Sequence, residues 1–260
     1  MARQVDSMLR IKDAHFTTVL LVILSIPSFA QSKNSGGTAS NAGTANAGTA
    51  ALAYFDKVRG GSFASYLKSI RPRQLSPELK TKLIAIFPKQ DIVQPSGKGL
   101  EKLAALDPVL EYYGRRSVVD LLVVRMGQPL VLFLAGAAVV ISEEALGLLS
   151  AKELQAVVAH EMGHEYFWNE WQTARLNREY EKIQEIELLC DGMAIVALSQ
   201  LGLEPQTFIV AITKITRAHD GPRINMEYYT SLEERIKFCN TMLDMVRARS
   251  EVFGPLVDNR

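Results

Sequence analysis

Cysteine is scarce in this chain: Cys190 and Cys239 are the only two among 260 residues. A framework of several disulfides is therefore excluded, and at most one bridge can form. Two free, buried thiols fit the sequence equally well. An excess of charge of either sign is also missing. The chain has 29 basic against 28 acidic residues, a formal net charge of +1, and no basic stripe or nucleic-acid-binding motif. Such a surface exerts no long-range pull on nucleic acid or acidic lipid, so a nucleic-acid role is excluded. Long hydrophobic runs are lacking too. The apolar stretch Phe16–Ile26 falls short of the ~20 residues that a spanning helix needs, and the run 129–142 is broken by Pro129 and Gly136. No stable membrane span is expected in the mature chain.

What is there begins with an export signal. Arg3, Arg10 and Lys12 precede the apolar stretch, and Pro27-Ser28-Phe29-Ala30 offers a small-x-small cleavage site. Residues 1–30 are predicted to be a signal peptide, which makes the protein periplasmic or secreted; an uncleaved N-terminal membrane anchor is the alternative. No cysteine follows the apolar stretch, so a lipid anchor is unsupported. Residues 31–50 are low in complexity, with Asn41-Ala-Gly-Thr-Ala45 repeated at 46–50, and read as a flexible linker. Residues 51–260 are expected to form a single domain, with a helical N-terminal layer over 51–117 and a core over 118–260. A content of 48% hydrophobic and 22% charged residues suits a domain that buries a full core.

Within that domain the strands are confined to 118–141. Val118–Val124, Leu130–Leu134 and Ala137–Ile141 are apolar and short, with Gly127, Pro129 and Gly136 as punctuation. Helices surround them. Ser76-Pro77-Glu78 is a helix start with Pro at the first position, and Asp107-Pro108 restarts a second helical stretch over 98–113. Further helices are predicted from Ala174 to Leu201, stopping at Gly202, and from Pro205 to His219. A last one starts at Thr230 or Ser231 with a capping box to Glu234.

The chemistry concentrates in His160-Glu161-Met162-Gly163-His164, inside a helix opened by Ser150 and Glu153 as a capping box. Residues i and i+4 share a helix face, so His160 and His164 can aim two imidazoles at one metal ion. Glu161 projects from the same turn and can reach a water there, the H-E-x-x-H arrangement of zinc-dependent hydrolases. Burying these groups among Leu154, Val157 and Val158 is costly without a partner. A metal ion is one such partner; backbone carbonyls satisfying a buried histidine pair are the other.

Hydrolases of this type take three protein ligands and keep one position open. Phe167 and Glu170 stand where a metzincin would carry its glycine and third histidine, so that extension is excluded. Downstream, Glu187 and Asp191 are again spaced i, i+4. Glu187 can complete the metal triad and Asp191 can accept the second ring N–H of a ligand histidine. A solvated acidic face is the plainer reading, but Leu188, Leu189, Met193 and Ile195 carry this helix into the core.

H-E-x-x-H at 160–164 followed by E-x-x-x-D at 187–191 resembles the zinc metallopeptidase (gluzincin) family of HtpX and the CAAX prenyl protease. The resemblance runs from about Leu130 to about Phe238 and includes Ser231–Ile236, similar to a late His-Pro-Ser-x-x-x-Arg-Ile element. Tyr229 and Thr230 stand in place of that element's His and Pro. The resemblance implies an α+β, mainly helical, zincin-like domain with a small β-sheet next to the motif helix. It also implies His160, His164 and Glu187 as ligands of one Zn2+ per chain, with Glu161 as general base. The expected function is a zinc-dependent endopeptidase acting on exported or misfolded proteins, with protein or peptide as substrate. The alternative is a non-catalytic envelope chaperone or assembly factor that retains the fold and has no need of Glu161. Tyr228, Tyr229, His219 and Arg235 are candidates for stabilising the oxyanion, and Arg235 fits a surface ion pair as well.

Overall fold

A computed structural model describes residues 41–57, 63–218 and 230–253. The signal peptide expected over 1–30 lies outside the described residues, as do His219, Tyr228 and Tyr229. The fold is α+β and mainly helical, around one four-stranded sheet.

Helix α1 spans Asn41–Lys57, α2 Phe63–Ser69 and α3 Pro77–Ile84; after a turn at Lys89–Asp91 comes the short strand β1, Ile92–Val93. Then follow α4 (Lys98–Ala104), α5 (Asp107–Tyr112), β2 (Asp120–Val124), β3 (Val131–Leu134) and β4 (Ala138–Ser142). Four helices close the chain after the short α6 (Glu143–Leu148): α7 (Ala151–Asn177), α8 (Tyr180–Gln200), α9 (Gln206–Ala218) and α10 (Leu232–Phe253).

The sheet order is β1-β2-β4-β3, with β2 and β4 parallel and the other pairs antiparallel. β3 is thus an edge strand. The β3–β4 turn places both Ala135 and Gly136 at positive φ (46° and 83°), the backbone of a tight type I′ hairpin. Side chains alternate across the pleat. Val131, Phe133, Val139 and Ile141 face the main helical core, while Leu132, Leu134, Ala138 and Val140 face a second cluster with Leu83 and Phe87. The segment around α3 therefore covers one face of the sheet and α7 the other.

Three sequence expectations change. The linker expected over 31–50 is helical from Asn41, because alanine is the best helix former and small residues let helices approach closely. Ala47, Ala51 and Phe55 form one stripe of α1 buried against α8, where the Phe55 ring lies over Gly192. β1, a two-residue strand, sits in the region read as helical and irregular. The helix predicted from Ala174 is split: α7 runs on to Asn177 and turns at Arg178, a non-glycine residue in the left-handed region with φ 58°.

The capping predictions hold. Ser76 accepts the Leu79 N–H, and Ser150 and Glu153 cap α7 reciprocally. Ser231 and Glu234 do the same for α10, with both backbone-to-side-chain bonds at 3.2 Å. Cys190 and Cys239 are free and buried, so of the two states open to them it is the thiols that occur. Among the described residues no helix is long and apolar enough to cross a membrane.

Candidate metal centre

The site is built on the α7–α8 hairpin. α7 brings His160, Glu161 and His164; α8, returning alongside it, brings Glu187 and Asp191. The two helices approach closely because Gly163 has no side chain. A Cβ there would lie 3.1 Å from Cys190 Cα and 3.2 Å from its Sγ. The glycine inside the motif is thus what lets the carboxylates of α8 reach the imidazoles of α7.

Both histidines aim Nε2 at the same point, 3.2 Å apart. The Glu187 carboxylate faces them, with one oxygen 3.7 Å from Nε2 of His160 and the other 3.7 Å from Nε2 of His164. Ligands at about 2.1 Å around a tetrahedral ion stand roughly 3.4 Å from one another, so these separations are of the right size. His160, Glu161 and His164 offer ligand atoms within 4.8 Å of one another and could hold a metal ion. His160 is buried, whereas Glu161 and His164 keep partial exposure, which leaves the cluster open on their side.

Charge balance points the same way. Asp191 is fully buried and paired with Arg235 of α10, whose Nε donates to Oδ2 at 2.8 Å and Nη2 to Oδ1 at 2.5 Å. With that pair neutral, the carboxyl groups of Glu161 and Glu187 crowd the two imidazoles in a confined space. A neutral hydrogen bond between the imidazoles would account for their short contact but brings no positive charge to either carboxyl group. A divalent cation satisfies all four groups at once.

The protonation behaviour of the side chains follows from this crowding. Burial, reinforced by Glu187 and opposed by His160 and the Phe133 N–H, pushes the Glu161 carboxyl up to about 7. Burial pulls His164 down to about 4, which keeps it neutral and its lone pair free. Burial also pulls on His160, but Asp191 and Glu161 outweigh it and the net displacement is upward.

Three neighbours fix the donor atoms. The Phe133 N–H, on edge strand β3, donates to Glu161 Oε2 at 2.9 Å and holds the carboxylate beside the sheet. The Phe208 ring of α9 stacks on His160, with centroids 5.7 Å apart and planes 19° from parallel. Asp191 Oδ1 lies 2.8 Å from His160 Nδ1, although this short contact is bent and falls outside hydrogen-bond geometry. That carboxylate therefore faces the second ring nitrogen, as its spacing from Glu187 suggested.

All five residues singled out in the sequence come together here. Phe208 and Phe133 were missed as parts of the site: an inward aromatic on a helix and a backbone N–H carry no motif. Among the described residues Arg235 pairs with the buried Asp191 and not with a surface acid. Comparison with protein-family models and with curated proteins finds no match for this chain.

Proposed function

We propose that this chain is a zinc-dependent endopeptidase with a zincin-like catalytic domain, related to the HtpX and CAAX prenyl protease family and acting on exported or misfolded proteins. The observation that carries the reading is the convergence of His160, His164 and Glu187 with Glu161 beside an edge strand. A purely structural metal site closes all its positions with ligands, whereas a catalytic one keeps an open side and a base. Here the open side is that of Glu161 and His164.

His160, His164 and Glu187 would hold the ion. Bound there, zinc would supply Lewis acidity toward a water and a peptide carbonyl. Glu161 takes the proton released as the water oxygen attacks the carbonyl carbon. It then gives that proton to the amide nitrogen as the C–N bond breaks. The Phe133 N–H keeps Glu161 turned toward the open side. Among the described residues β3 pairs only with β4, and beside the Phe133 N–H held by Glu161 its outer edge gives an extended peptide a strand to lie along, which suits a polypeptide substrate.

The test is metal content and peptidase activity of the full chain. About one zinc per chain, lost in Glu187→Ala, with casein cleavage abolished in Glu161→Gln while zinc is retained, is the expected result. A folded wild-type protein purified without chelator and lacking zinc would overturn the reading. So would a Glu161→Gln variant that cleaves at the wild-type rate.

A further inference from the structure

The carboxylate of Asp191 has two neighbours of very different geometric quality. The Arg235 guanidinium meets it fork to fork, through Nε at 2.8 Å and Nη2 at 2.5 Å. His160 Nδ1 meets Oδ1 at 2.8 Å, but the contact is bent and Nδ1 has no other partner. Two parallel N–H···O bonds fix the plane of a carboxylate, because both oxygens are occupied at once. A single bent contact does not. The orientation of Asp191 is therefore set by Arg235, and Asp191 in turn faces the ring that carries a proposed ligand atom.

We propose that Arg235 is a positioning residue of the metal site: it locks Asp191, and through Asp191 it aims His160 Nε2 at the point shared with His164 and Glu187. The inference rests on the reading of those three residues as metal ligands and adds α10 to the helices that support them. Arg235, on α10, lies 44 residues beyond Asp191 in the chain and contributes no ligand. Its start is rigid where it matters. Ser231 and Glu234 cap the first turn reciprocally, and the Arg235 N–H bonds Ser231 O at 3.0 Å. Arg235 leaves the helix one residue past that box and its side chain is 20% exposed, against 0% for Asp191. Lysine at this position would keep the charge but lose the fork, since an ammonium is a point charge with no plane.

The experiment compares Zn2+ affinity, by competition with a chromophoric chelator, and the visible spectrum of the Co2+-loaded full chain. The variants are Arg235→Lys, Arg235→Gln and a control, Lys214→Gln. Lys214 makes an ion pair of similar length, 2.7 Å, from α9 to Glu153 at the start of α7, away from the ligands. It reports the effect of loosening a helix contact alone. Melting of each metal-free variant is followed in parallel.

Arg235→Gln is expected to weaken Zn2+ binding by roughly 10- to 100-fold and to change the Co2+ bands, the size of effect seen when a ligand's supporting partner is removed. Arg235→Lys recovers melting temperature but stays about tenfold weak in Zn2+ affinity. Lys214→Gln lowers melting temperature and leaves affinity and spectrum as in the wild type. The proposal is overturned if Arg235→Lys binds Zn2+ like the wild type. It is equally overturned if Lys214→Gln weakens binding as much as Arg235→Gln does. A wild-type chain that binds neither ion would sink the metal-site reading itself, whereas normal wild-type binding with indifferent variants would sink only the role of Arg235.

Discussion

Gly163 of α7 and Cys190 of α8 stand so close that a methyl group at 163 would sit 3.1 Å from the Cys190 Cα. The contact partner is backbone, so nothing can swing aside. Everything α8 contributes to the site, Glu187 and Asp191 alike, depends on that approach.

Gly163→Val is accordingly expected to force the two helices apart. Overpacking of this kind costs about 1–3 kcal/mol. Denaturant unfolding should show the loss, and zinc affinity should fall with it. A valine variant with wild-type stability and affinity would mean that the helices can separate without consequence for the site.

Gly192 is the same device one helix further out. A Cβ there would meet the Phe55 ring at 2.3 Å. Gly192→Ala is expected to dislodge Phe55 and loosen α1, seen as faster proteolytic cleavage within Asn41–Lys57. Adding Phe55→Leu to Gly192→Ala should restore part of the protection, because the clash lies between these two side chains.

Arg115 and Glu165 form a buried ion pair, 2.7 Å from Nη2 to Oε1 and 1% and 7% exposed. Nη2 also donates to Pro72 O at 2.6 Å, tying the segment before α3 to α7. Arg115→Met leaves a carboxylate buried without a partner, at a cost of about 3–5 kcal/mol. Arg115→Met with Glu165→Leu should recover most of it. Burial already holds the Glu165 carboxyl above the usual range despite Arg115. Without the arginine it rises further, and the folded state then binds the proton more readily than the unfolded one. The single variant should therefore lose less stability at pH 5 than at pH 8.

Asp191 supplies a prediction in the metal-free protein. Burial opposes its ionisation, but Arg235 and His160 win and its folded pKa lies below 3.8. Stability from this ionised group is fully present above its unfolded value of about 3.9 and is lost as pH falls through the lower folded value. The folded pKa of His160 is raised, so its contribution is full below about 6.5 and is lost as pH rises through that higher value. The stability difference between wild type and Asp191→Asn should therefore be largest between about pH 4 and 6.5. Melting temperatures measured with chelator from pH 3 to 8 would check this, and a flat difference would refute it.

Much of this was legible in the sequence because the relevant signals are short-range. The capping boxes at Ser150 and Ser231 and the i, i+4 pairs His160/His164 and Glu187/Asp191 depend on helix periodicity alone, and the structure realises each of them. The strands between Asp120 and Ser142 followed from apolar runs cut by glycine and proline. Features that depend on a partner were not legible. Ala47 and Ala51 look like filler until α8 presents a surface for them. Arg178 turns the chain in a conformation normally left to glycine, and nothing in its type announces that. Gly163 lies within the motif, yet only the neighbour across from it explains why it must be glycine. The destination of Arg235 lies on another helix 44 residues away.

The α7–α8 hairpin has a consequence for the order in which the chain folds. His160, His164, Glu187 and Asp191 lie on two helices joined by only Arg178 and Glu179. Closing so short a connection carries a small entropic cost, and helical hairpins with local contacts are the fast-forming parts of a protein. The donors can therefore meet before the mixed sheet, with its parallel β2–β4 pair bridging a longer stretch of chain, has assembled. On that order Phe133 and Arg235, both from outside the hairpin, would join afterwards. An ion captured early would act as a folding nucleus, and zinc added during refolding should speed recovery of the native state more than zinc added at its end.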